Sequence, residues 1–196
     1  MRIYRAVNLT ALWLLVALNI LMFLLELLTG RGVAAHSPLI SYLGLTPVLV
    51  AQRPWTIITN IFVHADFAHI LFNMISLYFL GSFLIRATGE KSFLLVFFLG
   101  GLVGNIFFVL FAHPFSTGIG ASGAIYALGG ALAVMVPRLP VLIFPIPIPV
   151  PLWAAVIIFL FLSFLPQIAW QAHLGGLLFG LIAGLVLKKR RQTYYF

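Results

Sequence analysis

Leu9 to Leu28 read LTALWLLVALNILMFLLELL, twenty residues with a single charge at Glu26. A helix needs about 20 apolar residues to cross the hydrocarbon of a bilayer. The run is longer than the roughly 7–15-residue apolar region of a signal peptide, so it is expected as a retained span. Val33-Ala34-Ala35 marks the alternative, a cleavage point. The run has no apolar–polar alternation, which excludes a barrel strand. Lipid cannot satisfy an unpaired backbone, so the run must be helix.

The rest of the chain is of the same kind. Of 196 residues, 63% are hydrophobic and 7% are charged. Soluble domains average about 45–50% apolar and about 25% charged residues, and disorder requires low hydrophobicity. An ordinary soluble domain and a disordered chain are both excluded. Six apolar stretches appear, at about 9–28, 68–85, 92–112, 120–136, 151–166 and 171–187. The expected architecture is therefore an all-α membrane protein, one six-span domain over residues 1–196. There is no cysteine, hence no disulfide framework, thiol nucleophile or thiolate metal site.

The net charge of +8 does not point to nucleic acid, because the basic residues flank the spans. With the N-terminus inside, the inner segments hold Arg2, Arg5, Arg86, Lys91, Arg138, Lys188, Lys189, Arg190 and Arg191. Only Arg31 and Arg53 fall outside. Lysine and arginine concentrate in cytoplasmic loops, so both termini are expected in the cytoplasm. The loop 29–67 exceeds the usual ceiling of about 12–15 residues for a structureless connection. It is apolar, and short interfacial helices are expected in it, anchored by Tyr42 and Trp55. The prolines between Phe144 and Pro151 forbid helix and suggest a polyproline-like connector. Glu26 is expected to reach the interface, and Asp66 and Glu90 fall in loops. With no carboxylate deep in the membrane, a proton pump or cation transporter is disfavoured.

Polar residues within spans are functional candidates by default. On this topology His69 and Asn73 open span two, Ser122 opens span four and His173 opens span six. Four polar residues on three helices thus share one depth, just below the outer surface. His69 and Asn73 are four residues apart and share a helix face, as do Ser122 and Tyr126. Gly120 and Gly123 frame Ser122, which permits a sharp turn and close backbone approach. Taken singly, each residue also has a structural reading: a packing serine, interfacial histidines, an interhelical amide bond. His64 and Tyr126 are open in the same way. Convergence favours chemistry. A serine hydroxyl needs an adjacent base, and His173 is at the right depth. His69, Asn73 and the Ser122 N–H are candidate donors to an oxyanion. No acid stands at that depth, so the arrangement is a dyad, with Tyr126 placed to pack on the His173 ring. Gly176, Gly180 and Gly184 form a small-residue ladder on span six, expected to meet Gly123, Ala127 and Ala131.

These residues resemble the motifs of one family. Gly120-Ala121-Ser122-Gly123 resembles the GxSG motif of rhomboid intramembrane serine proteases. His64 through Asn73 is similar to their second-helix signature, and Ala172-His173-Leu174-Gly175-Gly176 to the sixth-helix motif. Arg53-Pro54-Trp55 departs from the family's Trp-Arg pair, so no role is carried to Arg53. The resemblance is to the bacterial-type, six-helix minimal core. It implies hydrolysis of a peptide bond in or beside the transmembrane segment of a single-span substrate, in the cell membrane, without metal or cofactor. By resemblance, Ser122 is the nucleophile, His173 the base and later the acid, and Tyr126 stacks under the histidine. His64 falls near the mouth of the site. Span five would gate substrate entry, with Trp153, Phe159, Phe161 and Phe164 as its bulky residues. The runner-up is a catalytically silent relative that binds membrane proteins for quality control. A transporter lacks its expected broken helices and midplane charges. A zinc protease using His64, His69 and His173 lacks the His-Glu-x-x-His pattern.

Overall fold

The computed structural model describes residues 7–143 and 146–193. Arg2, Arg5, Phe144 and Pro145 lie outside the described residues, as do the side chains of Arg190 and Arg191. Helix α1 (Thr10–Thr29) is followed by a loop carrying α2 (Pro38–Leu43), α3 (Thr56–Thr59) and three single 3-10 turns. Then come α4 (Phe67–Thr88), α5 (Glu90–Phe111) and α6 (Ser122–Met135). A hairpin of β1 (Pro140–Ile143) and β2 (Ile146–Pro151) leads to α7 (Leu152–Leu162) and α8 (Trp170–Thr193). Among the described residues, four helices are long and apolar enough to cross a membrane: α1, α4, α5 and the Trp170–Lys189 part of α8. The apolar α6 and α7 are shorter.

Local chemistry sets the boundaries. Asp66 caps α4 by accepting the His69 N–H at 2.8 Å, an orphan donor of the first turn. Ser37 caps α2 in the same way, with Pro38 at the first helical position. Gly89 alone separates α4 from α5, at φ +89.

Helix α6 is the hub. Its residues Gly123 to Ala131 are buried almost without interruption, and α4, α5, α7 and α8 all pack on it. Helix α8 comes closest, through the glycine ladder. A Cβ added at Gly176, Gly180 or Gly184 would strike the backbone carbonyls of Gly123, Ala127 and Ala131 in turn. Small residues let two backbones meet at this range, which apolar lipid alone would not enforce. The helix faces turned away from the core carry exposed leucine and phenylalanine, among them Leu14, Leu21, Phe79, Leu110 and Phe111.

Three expectations are corrected. The proline segment is a β-strand, not a polyproline connector: β2 pairs antiparallel with β1, Val141 opposite Val150 and Ile143 opposite Ile146. Alternate residues of a strand send their N–H to opposite edges. Prolines at every second position therefore strip donors from the open edge alone, where proline is tolerated. Ile146 and Val150, opposite Ile143 and Val141, keep theirs. Glu26 does not reach the interface. It is fully buried, with Oε2 accepting the backbone N–H of His64 at 3.2 Å, because the end of the first loop folds over it. Helix α7 also ends at Leu162, four residues short of the apolar stretch.

Candidate active site

Gly120 sits at φ +103, and a Cβ there would lie 2.5 Å from Nε2 of His69. Glycine is thus required twice over, by backbone conformation and by space. The His69 imidazole lies directly against the turn that delivers Ser122. That turn is strapped to the first loop. Leu45 and Gly118 exchange backbone bonds, and the Gly120 N–H donates to the Asn60 carbonyl at 2.9 Å. Asn60 is held in turn by a reciprocal amide pair with Asn105 on α5, at 3.0 and 2.8 Å. A small pocket beside Ser122 is lined by Asn60, Asn105, Gly120 and Ala172.

Ser122 is the first residue of α6, so its N–H and those just after it have no intrahelical acceptor. Its Oγ lies 2.7 Å from Nε2 of His173 on α8. Tyr126 stacks on the His173 ring, centroids 4.3 Å apart and planes 18° from parallel. The other ring nitrogen, Nδ1, lies 2.7 Å from Oγ of Ser163, at the C-terminal end of α7. Tyr126 Oη is also 2.7 Å from Ser163 Oγ. Both hydroxyls reach the Phe159 carbonyl, Tyr126 at 2.7 Å and Ser163 at 2.9 Å. Three helices thus close around one buried imidazole.

Asn73 is buried on the same face of α4 as His69. Its Nδ2 donates to the His69 carbonyl at 2.8 Å, and its Oδ1 has no partner. An amide carries two N–H donors, so one stays available. His64 is not at a mouth: it is 0% exposed, in the loop before α4. Its ring meets the His69 ring edge-on at 4.9 Å. Burial, with the neighbouring His69 charge second, pushes His64 from 6.5 down to about 3. Arg53 donates to the Ser41 carbonyl at 2.6 Å and Trp55 to the Tyr42 carbonyl at 3.0 Å, so both tie the first loop together.

The structure therefore brings together Ser122, His173, Tyr126, Gly120 and His69, with Asn73 and His64 alongside. The sequence leaves two parts without a role. Ser163 is a polar candidate within span five, but nothing in sequence gives the rotation of that helix, which turns its Oγ to His173. Asn60 sat in a loop, and only tertiary pairing reveals its amide partner.

Comparison with known proteins agrees with this architecture. Residues 51–190 match the Rhomboid domain family model. The rhomboid protease GluP of Bacillus subtilis is 32% identical over 183 residues, covering 91% of this chain and 35% of that protein. Rhomboid-like protease 3 of Toxoplasma gondii is 29% identical over 174 residues, 86% of this chain and 65% of that protein. A second Bacillus subtilis relative, YdcA, is 34% identical over 143 residues, 71% of each. The chain spans about a third of the length of the first of these and about two thirds of the other two.

Proposed function

The chain belongs to the rhomboid family, and from that membership we propose that it is an intramembrane serine endopeptidase. Its substrates are single-span membrane proteins, cut in or next to the transmembrane segment. The observation that carries the reading is the 2.7 Å contact between Ser122 Oγ and His173 Nε2, within the reach that an activated nucleophile needs.

In this reading His173 Nε2 takes the Ser122 proton as Oγ attacks the scissile carbonyl. The oxyanion forms at the N-terminus of α6, where the free Ser122 N–H points. His69 and the spare Asn73 N–H are the side-chain donors. Donors fixed before the reaction stabilise charge as it develops. His173 then protonates the leaving amine, and water attacks the acyl-enzyme with His173 again as base. Both ring nitrogens of His173 face serine hydroxyls, which favours this chemistry over zinc ligation.

The proposal includes six spans with both termini in the cytoplasm, a first loop lying partly in the outer interface, and a place in the cell membrane. The substrate helix must unwind locally, because intact i to i−4 bonds shield its carbonyls. By family resemblance α7 is the entry side; its Trp153, Phe159 and Phe161 and, just beyond it, Phe164 are exposed, and it buries little besides Leu152 and Ala155.

The test is cleavage of a model single-span substrate in liposomes, with product ends mapped. Wild type should cut it and react with a fluorophosphonate, whereas Ser122→Ala and His173→Ala should do neither. Wild type that neither cleaves nor labels would identify the silent, binding relative instead.

A further inference from the structure

The dyad has no carboxylate, yet a base works only in the right tautomer. His173 must carry its proton on Nδ1 so that Nε2 can accept from Ser122. Which nitrogen holds the proton is set by the partner of the other. We propose that Ser163 is a positioning residue whose Oγ accepts the His173 Nδ1–H, fixing the ring and its tautomer in place of the missing acid. This rests on the reading of Ser122 and His173 as the reacting pair.

The geometry leaves Ser163 free to take that role. Its Oγ is 2.7 Å from Nδ1, and the residue is 2% exposed, so water does not compete. The hydroxyl proton has acceptors other than the histidine. One is the Phe159 carbonyl at 2.9 Å, a turn back on the same helix; the other is Tyr126 Oη at 2.7 Å. If Ser163 donates to Phe159, Tyr126 donates to Ser163. If Tyr126 donates to Phe159 instead, Ser163 donates to Tyr126. In either pattern a lone pair of Ser163 Oγ remains aimed at Nδ1, and a hydroxyl has two. The reverse tautomer would have Nε2–H donate to Ser122, leaving the nucleophile without a base. Tyr126 stacking fixes the plane of the ring but cannot choose between its nitrogens. Ser163 makes that choice when its own proton is engaged by Phe159 or Tyr126.

Two measurements test this. In wild type labelled with 15N-histidine, the His173 signals should report a protonated Nδ1 and a bare Nε2 in the neutral ring. A dominant Nε2–H form would overturn the proposal without any variant. In kinetics, Ser163→Ala should lower kcat about ten- to a hundredfold, a part of the roughly 10²–10⁴ that a positioned base supplies. KM should stay within about threefold, and the Nε2–H form should appear. Ser163→Thr, which keeps the oxygen, should restore most of the rate. Ser163→Ala with wild-type kcat and an unchanged tautomer would refute the positioning role while Ser122→Ala and His173→Ala remain inactive. Cleavage by Ser122→Ala would bring down the underlying reading, and this proposal with it.

Discussion

Asp66 stands three residues before His69, and its carboxylate is already engaged in the fold, where it accepts the His69 backbone N–H and caps α4. Asparagine caps a helix about as well as aspartate. Asp66→Asn should therefore keep cleavage within about twofold of wild type. A loss as large as that of His173→Ala would show that an acid takes part after all. His64 makes the opposite kind of prediction. Its imidazole is buried and held down at about 3, against 6.5 for the ordinary side chain. As pH falls, the unfolded chain takes up this proton first, so the folded state loses ground. The contribution is intact above about pH 6.5 and is lost progressively toward pH 3. His64→Gln cannot titrate, so its melting temperature in detergent should fall less between about pH 7 and about pH 4.5 than that of wild type. Parallel curves would show that His64 takes up its proton equally in both states.

Among the elements, the α6–α8 pair was the most legible in sequence. Glycines spaced by four on one helix and small residues spaced by four on another can pack in few ways, and the structure pairs them in that register. The ladder also sets the site, since it holds the two helices that carry Ser122 and His173. Gly180→Leu would drive a side chain into the Ala127 carbonyl and push α8 outward. Overpacking of this kind costs about 1–3 kcal/mol, and the two residues should part as well. Cleavage should be lost, with a lowered melting temperature. Ile182→Leu, on an exposed position of the same helix, should change neither. If Gly180→Leu cuts normally, the close approach is not what aligns the pair. The β1–β2 hairpin was hidden by contrast. Alternate prolines look the same in a polyproline run as on an open strand edge, and only the partner strand tells them apart. Ser163 and the burial of Glu26 were hidden for a related reason: each depends on a helix rotation or a loop path that local pattern does not encode.

At the scale of the molecule, the length of α6 matters most. Fourteen residues give about 21 Å of helix, short of the roughly 30 Å of hydrocarbon. If α6 nevertheless joins the two sides, one of its ends must stop inside that thickness. The turn before Ser122 is strapped to the first loop by Leu45, Gly118 and Asn60, so non-helical backbone at that end is satisfied by protein, as lipid requires. Ser122 would then lie below the outer surface, reached by water through the loop side. The sequence predicts the sidedness, with nine basic residues on the segments expected inside and Arg31 and Arg53 on the loop expected outside. The chain has no cysteine, so single cysteines report position without background. Phe115, between α5 and α6, is 73% exposed, and Leu142, on the hairpin after α6, is 74% exposed. A membrane-impermeant maleimide added to intact cells should label Phe115→Cys. It should label Leu142→Cys only after the membrane is opened. The reverse pattern would invert the topology. Labelling of both from outside would mean that α6 does not cross, and Ser122 would lose its place beneath the outer surface.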